Sequence, residues 1–185
     1  MKLQVLLDEL CLKDNILLND IPEIDLYMDQ VIQLFENKLG KVKRYEEDKI
    51  LTKTMINNYS KGKLLMTIKN KKYSKAHIII MCFIYNLKGI LSLTDIKIIL
   101  EPIVKAYDEE KINVNDIESL YFKYLELYNE DLINIKNIIN DEKTFKINSE
   151  DTYKKNSEKL LLVLSLVNNA NIYRRLAEKV IDTKE

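Results

Sequence analysis

The chain has 185 residues, of which 46% are hydrophobic and 31% are charged, so it can form one domain or a small domain with a helical extension. It contains 3 glycines and 2 prolines, too few for the turns of a β-sandwich, a β-barrel or a Rossmann fold. No apolar run is long enough to cross a bilayer, and the N-terminus does not resemble a signal peptide. Composition therefore predicts a mostly helical, cytoplasmic protein without a membrane span.

The residues that carry most catalytic chemistry are scarce. Cys11 and Cys82 lie among apolar residues and are expected to be buried thiols rather than a disulfide, since no export signal is present. His77, the single histidine, lies near the start of a hydrophobic helix and is expected to be structural. Neither a zinc ligand set nor a glycine-rich phosphate loop is present. The sequence predicts no metal, no cofactor and no enzyme activity.

The net charge is formally zero but unevenly distributed. Residues 38–75 hold twelve basic and three acidic side chains, a net charge of +9, which leaves −9 for the remainder. Such a segment indicates a polyanionic partner. The alternative is that the lysines reflect A/T-rich codons, although this does not explain why no acid lies between Lys49 and Asp95.

Hydrophobic spacing predicts helices in the first part of the chain. One covers 3–12, and an amphipathic helix begins with Pro22 in its first turn and ends at Gly40 as its C-cap. Residues 41–48 are charged and loop-like. Thr52 or Thr54 caps a short helix towards Ser60.

The middle of the chain contains the most apolar helix. Gly62 is predicted to end the preceding helix in the left-handed conformation, and 63–72 form a loop or short hairpin. Ser74 caps a central core helix that runs to Leu87 and ends at Gly89. Ser92 or Thr94 opens the next helix, which Pro102 kinks or stops.

The C-terminal part is predicted to be helical and acidic. Asn113 or Asn115 caps a helix with three tyrosines on one face, Tyr121, Tyr124 and Tyr128. This face is expected to belong to the core or to a dimer interface, and a ligand pocket is the alternative. Residues 141–151 are turn-like. The last helix, 156–180, is apolar on most sides, so we expect it to be buried in the core or against a second subunit.

Four short motifs occur in a characteristic order. They are Thr54–Tyr59, Gly62–Leu65, Lys71–Ser74 and Leu91–Ile96. This order resembles the winged helix-turn-helix of MerR-type transcription regulators. The resemblance implies that 54–59 belong to the recognition helix and that 71–74 lead from the wing into the next helix. The usual arginine and aromatic pair are replaced by Ile-Asn-Asn-Tyr. Lys69-Asn70-Lys71 stands where the wing glycine is expected, and Asn70 is a residue that can take the positive φ of that glycine.

A second resemblance covers about the first hundred residues, the size of one domain. Ile24–Val31 ahead of Leu51–Tyr59 is similar to a bacterial domain-of-unknown-function family that carries the MerR-like module. This resemblance implies no biochemical activity.

Together these patterns predict which residues contact DNA. Asparagine can pair with adenine and lysine with guanine in the major groove, and wing lysines suit phosphates. Two alternatives stay open: Asn57 and Asn58 are a solvated helix end, and Tyr73 packs under the wing instead of contacting a phosphate. Lys43 and Arg44 either add backbone contacts or form a solvated loop. The predicted DNA-binding residues are Lys53, Thr54, Asn57, Asn58, Tyr59, Lys61, Lys69, Lys71, Lys72 and Tyr73.

The sequence therefore predicts an all-α protein with two parts. Residues 1–105 form N-terminal helices and a MerR-like winged helix-turn-helix with a small wing, and 106–185 form a helical bundle that completes the core or dimerises. The expected function is a homodimeric transcription regulator that binds double-stranded DNA. The alternative is an adaptor that binds a protein partner through its acidic C-terminal helices.

Overall fold

A computed structural model describes residues 3–140 and 152–183, so the turn predicted at 141–151 lies outside the described residues. The described part is mainly helical, which confirms the all-α class. Its elements are α1 Leu3–Glu9, β1 Leu26–Tyr27, α2 Met28–Leu39, α3 Lys53–Lys61, β2 Lys72–Tyr73, α4 Lys75–Leu87, α5 Leu93–Asp108, α6 Val114–Asn140 and α7 Thr152–Asp182.

The chain forms two compact units, 1–132 and 133–185. In the first unit, α4 is the central helix, and its isoleucines are completely or almost completely buried (Ile78, Ile79, Ile80 and Ile84). Cys82 is buried on the same helix, as predicted, whereas Cys11 is partly exposed. Residue 105, the predicted end of the first domain, lies inside α5, and Ile117 and Tyr121 of α6 belong to the core of the first unit.

The tyrosine stripe of α6 holds the N-terminal segment in place. The hydroxyl of Tyr121 donates to the carbonyl oxygen of Ile16 at 2.7 Å, and that of Tyr128 donates to the carbonyl of Leu12 at 2.8 Å. The Tyr121 ring is fully buried and packs edge-on against Phe83 of α4. The predicted core role of this stripe is confirmed, and the burial of a hydrogen-bonded phenol is the reason.

The prediction that Pro22 opens a helix is wrong. Pro22 is exposed in an irregular segment, and α2 begins at Met28. Directly before α2, Leu26 and Tyr27 are extended because β1 pairs with β2 in antiparallel register, with Leu26 opposite Tyr73. The amide of Tyr27 then donates to the side chain of Gln30 at 2.9 Å, which starts α2.

The N-caps of three helices are confirmed, but the predicted left-handed glycine is wrong. Thr52, Ser74 and Ser92 precede α3, α4 and α5. At the end of α3 the left-handed residue is Lys63, with a φ of 57°, and Gly62 is right-handed. The following amides return to the carbonyls of Ser60 and Tyr59 in a Schellman motif (Lys63 at 3.1 Å and Leu64 at 2.9 Å).

Gly62 has a steric role instead. A Cβ at this position would lie 3.1 Å from the carbonyl oxygen of Asn58, which is tight for a real side chain. Pro102 lies inside α5, so the predicted stop at this residue is wrong, and a kink is the alternative that the continuous helix allows. Asn113 immediately precedes α6, and its side chain accepts from the amide of Asn115 at 2.8 Å.

The expectation that α7 is buried in the core is wrong. Four apolar side chains near its middle are between 51% and 58% exposed in the single chain (Leu160, Leu161, Leu164 and Val167). Leu162 of the same helix is buried, at 8% exposure, so the helix is covered on one side only. None of the described helices, α7 included, has the length and apolar content needed to cross a membrane.

Candidate nucleic-acid interface

Helix α3 has one buried face and one polar face. Ile56 is 0% exposed and Tyr59 is 4% exposed, so these side chains fasten the helix to the core. The exposed side chains fall within an arc of about 140°, at 3.6 residues per turn. They are Lys53, Thr54, Asn57, Asn58 and Lys61.

The first turn of α3 is held by short-range polar contacts. The hydroxyl oxygen of Thr52 accepts the amide of Met55 at 3.1 Å, as expected of an N-cap. Lys53 forms an ion pair with Asp29 of α2 at 2.7 Å. Because both side chains are well exposed, this ion pair contributes little to the stability of the fold. It does give the Lys53 ammonium, one of the two on the polar face, an acidic partner.

A tight hairpin follows α3 in the chain. The amide of Lys72 donates to the carbonyl oxygen of Lys69 at 3.0 Å. The two residues between them, Asn70 and Lys71, have φ values of 53° and 57°. Positive φ at both central positions defines a type I′ turn, whose twist suits a two-stranded hairpin. The predicted loop or short hairpin is therefore a hairpin, and Asn70 takes the expected positive φ.

The hairpin is anchored at its base. Lys72 and Tyr73 form β2, which pairs with β1, and the ammonium of Lys72 lies 5.1 Å from the ring centroid of Tyr27. Tyr73 is buried, and its ring meets His77 edge-on with centroids 6.0 Å apart. The tip of the hairpin projects while its base belongs to the core.

A cleft lies where α3, the hairpin and the start of α2 meet. Its volume is about 470 Å³, and it is lined by Tyr27 and Asp29, by Asn57 and Ser60, and by Lys71 and Tyr73. Sequence analysis did not select Tyr27 or Asp29. The signal available was their place in the segment 24–31, which contains β1 and the first turn of α2. The pairing of β1 with β2, which brings them to the cleft, cannot be predicted from hydrophobic spacing.

Most of the basic segment is free to meet an anion. Four of its twelve cations are paired with acids: Lys38 with Asp20, Lys43 with Glu36, Lys53 with Asp29, and Lys75 with Glu23 and Glu118. The others have no ion pair among the described residues. They are Lys41, Arg44, Lys49, Lys61, Lys63, Lys69, Lys71 and Lys72.

Lys75 is the one buried lysine of the segment. Its ammonium lies 2.5 Å from Glu23 and 3.1 Å from Glu118, and the hydrogen bond to Glu23 is the main cause of its raised pKa. These contacts link the start of α4 to α6 and to the N-terminal segment. Lys75 therefore stabilises contacts within the fold and is not part of the exposed polar face of α3.

Two of the ten predicted contact residues are not at the surface. Tyr59 and Tyr73 are buried, and burial raises the pKa of both hydroxyls. Tyr73 packs beneath the hairpin, which is the alternative that the sequence left open. Of the remaining eight, Lys72 is half-buried and the others are exposed on α3 or the hairpin turn.

His77 holds the junction between the hairpin and α4. Its Nδ1 accepts the amide of Ser74 at 3.2 Å, and its Nε2 is buried with no hydrogen bond among the described residues. Burial lowers the pKa of His77, against smaller opposing contributions from the Met66 backbone and the Asp108 carboxylate. No group of three or more His, Cys, Asp or Glu within 3–140 and 152–183 is placed to hold a metal.

Residues 16–124 match the family described as "Domain of unknown function (DUF1836)". This match covers more than half of the chain, so the protein belongs to that family, and the expectation of a domain-of-unknown-function family is confirmed. The matched region contains α2 to α5, the hairpin and the start of α6. No curated protein and no solved structure matches the chain significantly.

Proposed function

We propose that this protein is a cytoplasmic, DNA-binding transcription regulator without enzyme activity. Helix α3 enters the major groove, and the lysines of the hairpin contact phosphates. The observation that carries the proposal is the exposed polar face of α3 beside a hairpin whose lysines at 69 and 71 have no acidic partner among the described residues.

The order of elements supports a MerR-like winged helix-turn-helix. A short strand leads into α2, α3 follows, and a type I′ hairpin returns to pair with that strand before α4. In this arrangement α3 is the recognition helix and the hairpin is the wing. A recognition helix offers side chains to base edges while neighbouring elements hold the phosphates.

A second copy of the chain suits this function. Two recognition helices in a dimer bind half-sites spaced by turns of the DNA helix. The half-exposed apolar side chains of α7 support a homodimer, because such side chains gain about 25 cal/mol per Å² when covered.

The same exposed helix favours a second candidate function. An adaptor would use the apolar side chains of α7 and the acidic surface of α6 to bind another protein, and α3 would serve only the fold. Recovery of one stoichiometric protein partner, with no retention on DNA, would favour the adaptor.

The deciding experiment is DNA binding by the full chain across a salt series. The logarithm of the association constant for duplex DNA should fall linearly with the logarithm of salt concentration, with a slope of about −0.9 per phosphate contact. The variant Lys69→Ala with Lys71→Gly should reduce that slope by about 2. Glycine is used at 71 because it adopts the φ of 57° without the steric cost of a Cβ, so the turn is kept when the charge is removed.

A matched variant controls for the loss of two charges. Lys13→Ala with Lys123→Ala removes two exposed lysines far from the hairpin in sequence and should leave the slope unchanged. If the hairpin variant binds like the wild type, the hairpin is not a wing. If the wild-type chain binds no DNA at low salt, the proposed function is wrong.

A further inference from the structure

We propose that α3 selects A·T base pairs, with Asn57 pairing with adenine and the methyl group of Thr54 contacting thymine. This inference rests on the proposed function and adds the class of DNA sequence that the protein recognises. It follows from which side chains the fold leaves exposed on α3.

The chemistry of the polar face is unusually restricted. Its five side chains are two asparagines, one threonine and two lysines, with no arginine and no acid. Asparagine makes a bidentate pair with the N6 and N7 positions of adenine, and a threonine methyl packs on the thymine methyl. The commonest contact to guanine is a bidentate arginine or lysine. The face therefore offers A·T readers at three positions out of five.

The two lysines are poorly placed to read guanine. Lys53 is paired with Asp29 at 2.7 Å, and this carboxylate competes with a base for the ammonium, although the exposed pair itself is weak. Lys61 is in the last turn of α3, whereas the N-terminal residues of a recognition helix contact the bases. Arg44 lies outside α3, with its guanidinium 5.1 Å from the ring centroid of Tyr45. Lysines at these positions suit phosphates better than bases.

Asn57 is available for a bidentate contact. Its side chain is exposed and makes no hydrogen bond within the described residues. It borders the cleft that the hairpin closes on the other side with Lys71. Both the donor and the acceptor of its amide are therefore free beside the point where the hairpin meets the DNA backbone.

The hairpin turn supports the same preference independently. Its tip carries Asn70 and Lys71, both exposed. A-tracts narrow the minor groove and concentrate negative potential there, which attracts an inserted lysine. A lysine on a tight turn therefore favours A·T-rich flanks without any base contact.

Selection from a pool of random 20-base-pair duplexes tests the inference. The full chain is incubated with the pool at about 0.15 M salt, and bound duplexes are sequenced over several rounds. We expect enriched sequences to share a core of A·T base pairs. The best enriched duplex and an unrelated duplex then serve as probes for the variants.

Asn57→Ala should weaken binding to the enriched duplex by about tenfold, with affinity for the unrelated duplex and the salt slope unchanged. Thr54→Ser, which removes only the methyl group, should reduce the preference for thymine at one position. Asn129→Ala, at an exposed asparagine of α6, is the matched control and should behave like the wild type.

The outcomes separate this inference from the proposed function. A G·C-rich core, or an A·T core that survives in both Asn57→Ala and Asn58→Ala, overturns the A·T assignment while DNA binding stands. Salt-dependent binding with no enriched sequence also overturns it. Absence of any DNA binding overturns the proposed function and this inference together.

Discussion

Two surfaces of this protein stay exposed in the single chain, and their chemistry is opposite. The outer face of α3 and the hairpin turn are polar and lysine-rich, whereas the middle of α7 is apolar. A polar, lysine-rich surface is well hydrated, so its exposure to water costs little free energy, and its positive charge is suited to an anionic ligand. Exposed apolar side chains are instead suited to burial against another protein surface.

The two surfaces also differ in their support. Behind the polar face of α3, Ile56 and Tyr59 are buried in the first unit. The α7 surface belongs to a second unit in which several large apolar side chains remain about half-exposed. The first surface therefore lies on a packed core, whereas the second lies on a helix whose apolar side chains are about half-exposed in the single chain.

The largest effect should come from charging the apolar surface. Leu161→Asp with Leu164→Asp should convert a dimer into a monomer, because two carboxylates would be buried without partners. Light scattering after size exclusion should give twice the chain mass of 21.8 kDa for the wild type and that mass for the variant. Asn129→Asp with Asn134→Asp adds the same charge at exposed polar positions of α6, outside α7, and should remain dimeric. A monomeric wild type would contradict the dimer.

A smaller effect should be a difference in stability between variants at two adjacent residues of α3, Ile56 and Asn57. Ile56→Ala leaves a cavity under the helix and should lower the free energy of unfolding by about 2–5 kcal/mol. Asn57→Ala changes an exposed side chain and should stay within about 0.5 kcal/mol of the wild type. Urea unfolding measures both. Equal losses would mean that the polar face has a role in folding, which would weaken its assignment to DNA.

The smallest effect should be a pH dependence that arises at the hairpin. Because folding lowers the pKa of His77 below 6.5, the unfolded chain binds the proton more readily. The free energy of unfolding should therefore fall as pH decreases below about 6.5, by at most about 1.4 kcal/mol per pH unit. Urea unfolding between about pH 7 and pH 5.5 measures this loss.

His77→Gln is the control for this pH dependence. Glutamine at this position can still accept the amide of Ser74 in a capping box but does not titrate. The variant should lose less stability than the wild type over the same pH range, and equal losses would show that other groups are responsible. Since α7 contains no histidine, assembly through it should not share this dependence.

Local patterns sufficed for much of the fold. The caps at Thr52, Ser74 and Ser92, the burial of α4 and the positive φ of Asn70 depend on a few neighbouring residues, whose preferences are visible in the sequence. The polar face of α3 could be predicted in part for the same reason: helical spacing placed Ile56 inside, whereas Tyr59, predicted as a DNA contact, is buried.

Other features depended on residues distant in the chain. Pro22 was predicted to start a helix because the pairing of Leu26 with Tyr73, 47 positions later, cannot be read from either segment. The same pairing buries Tyr73 and brings Asp29 to the α3 face.

The sequence by itself determined the helical class, the basic segment and the outward side chains of α3, since composition and period are local properties. The tertiary structure decided which cations remain unpaired, which tyrosines are buried, and where the hairpin lies relative to α3. These features depend on contacts between residues distant in the chain. A side chain is available to a ligand only if no other part of the folded chain buries it or pairs with it.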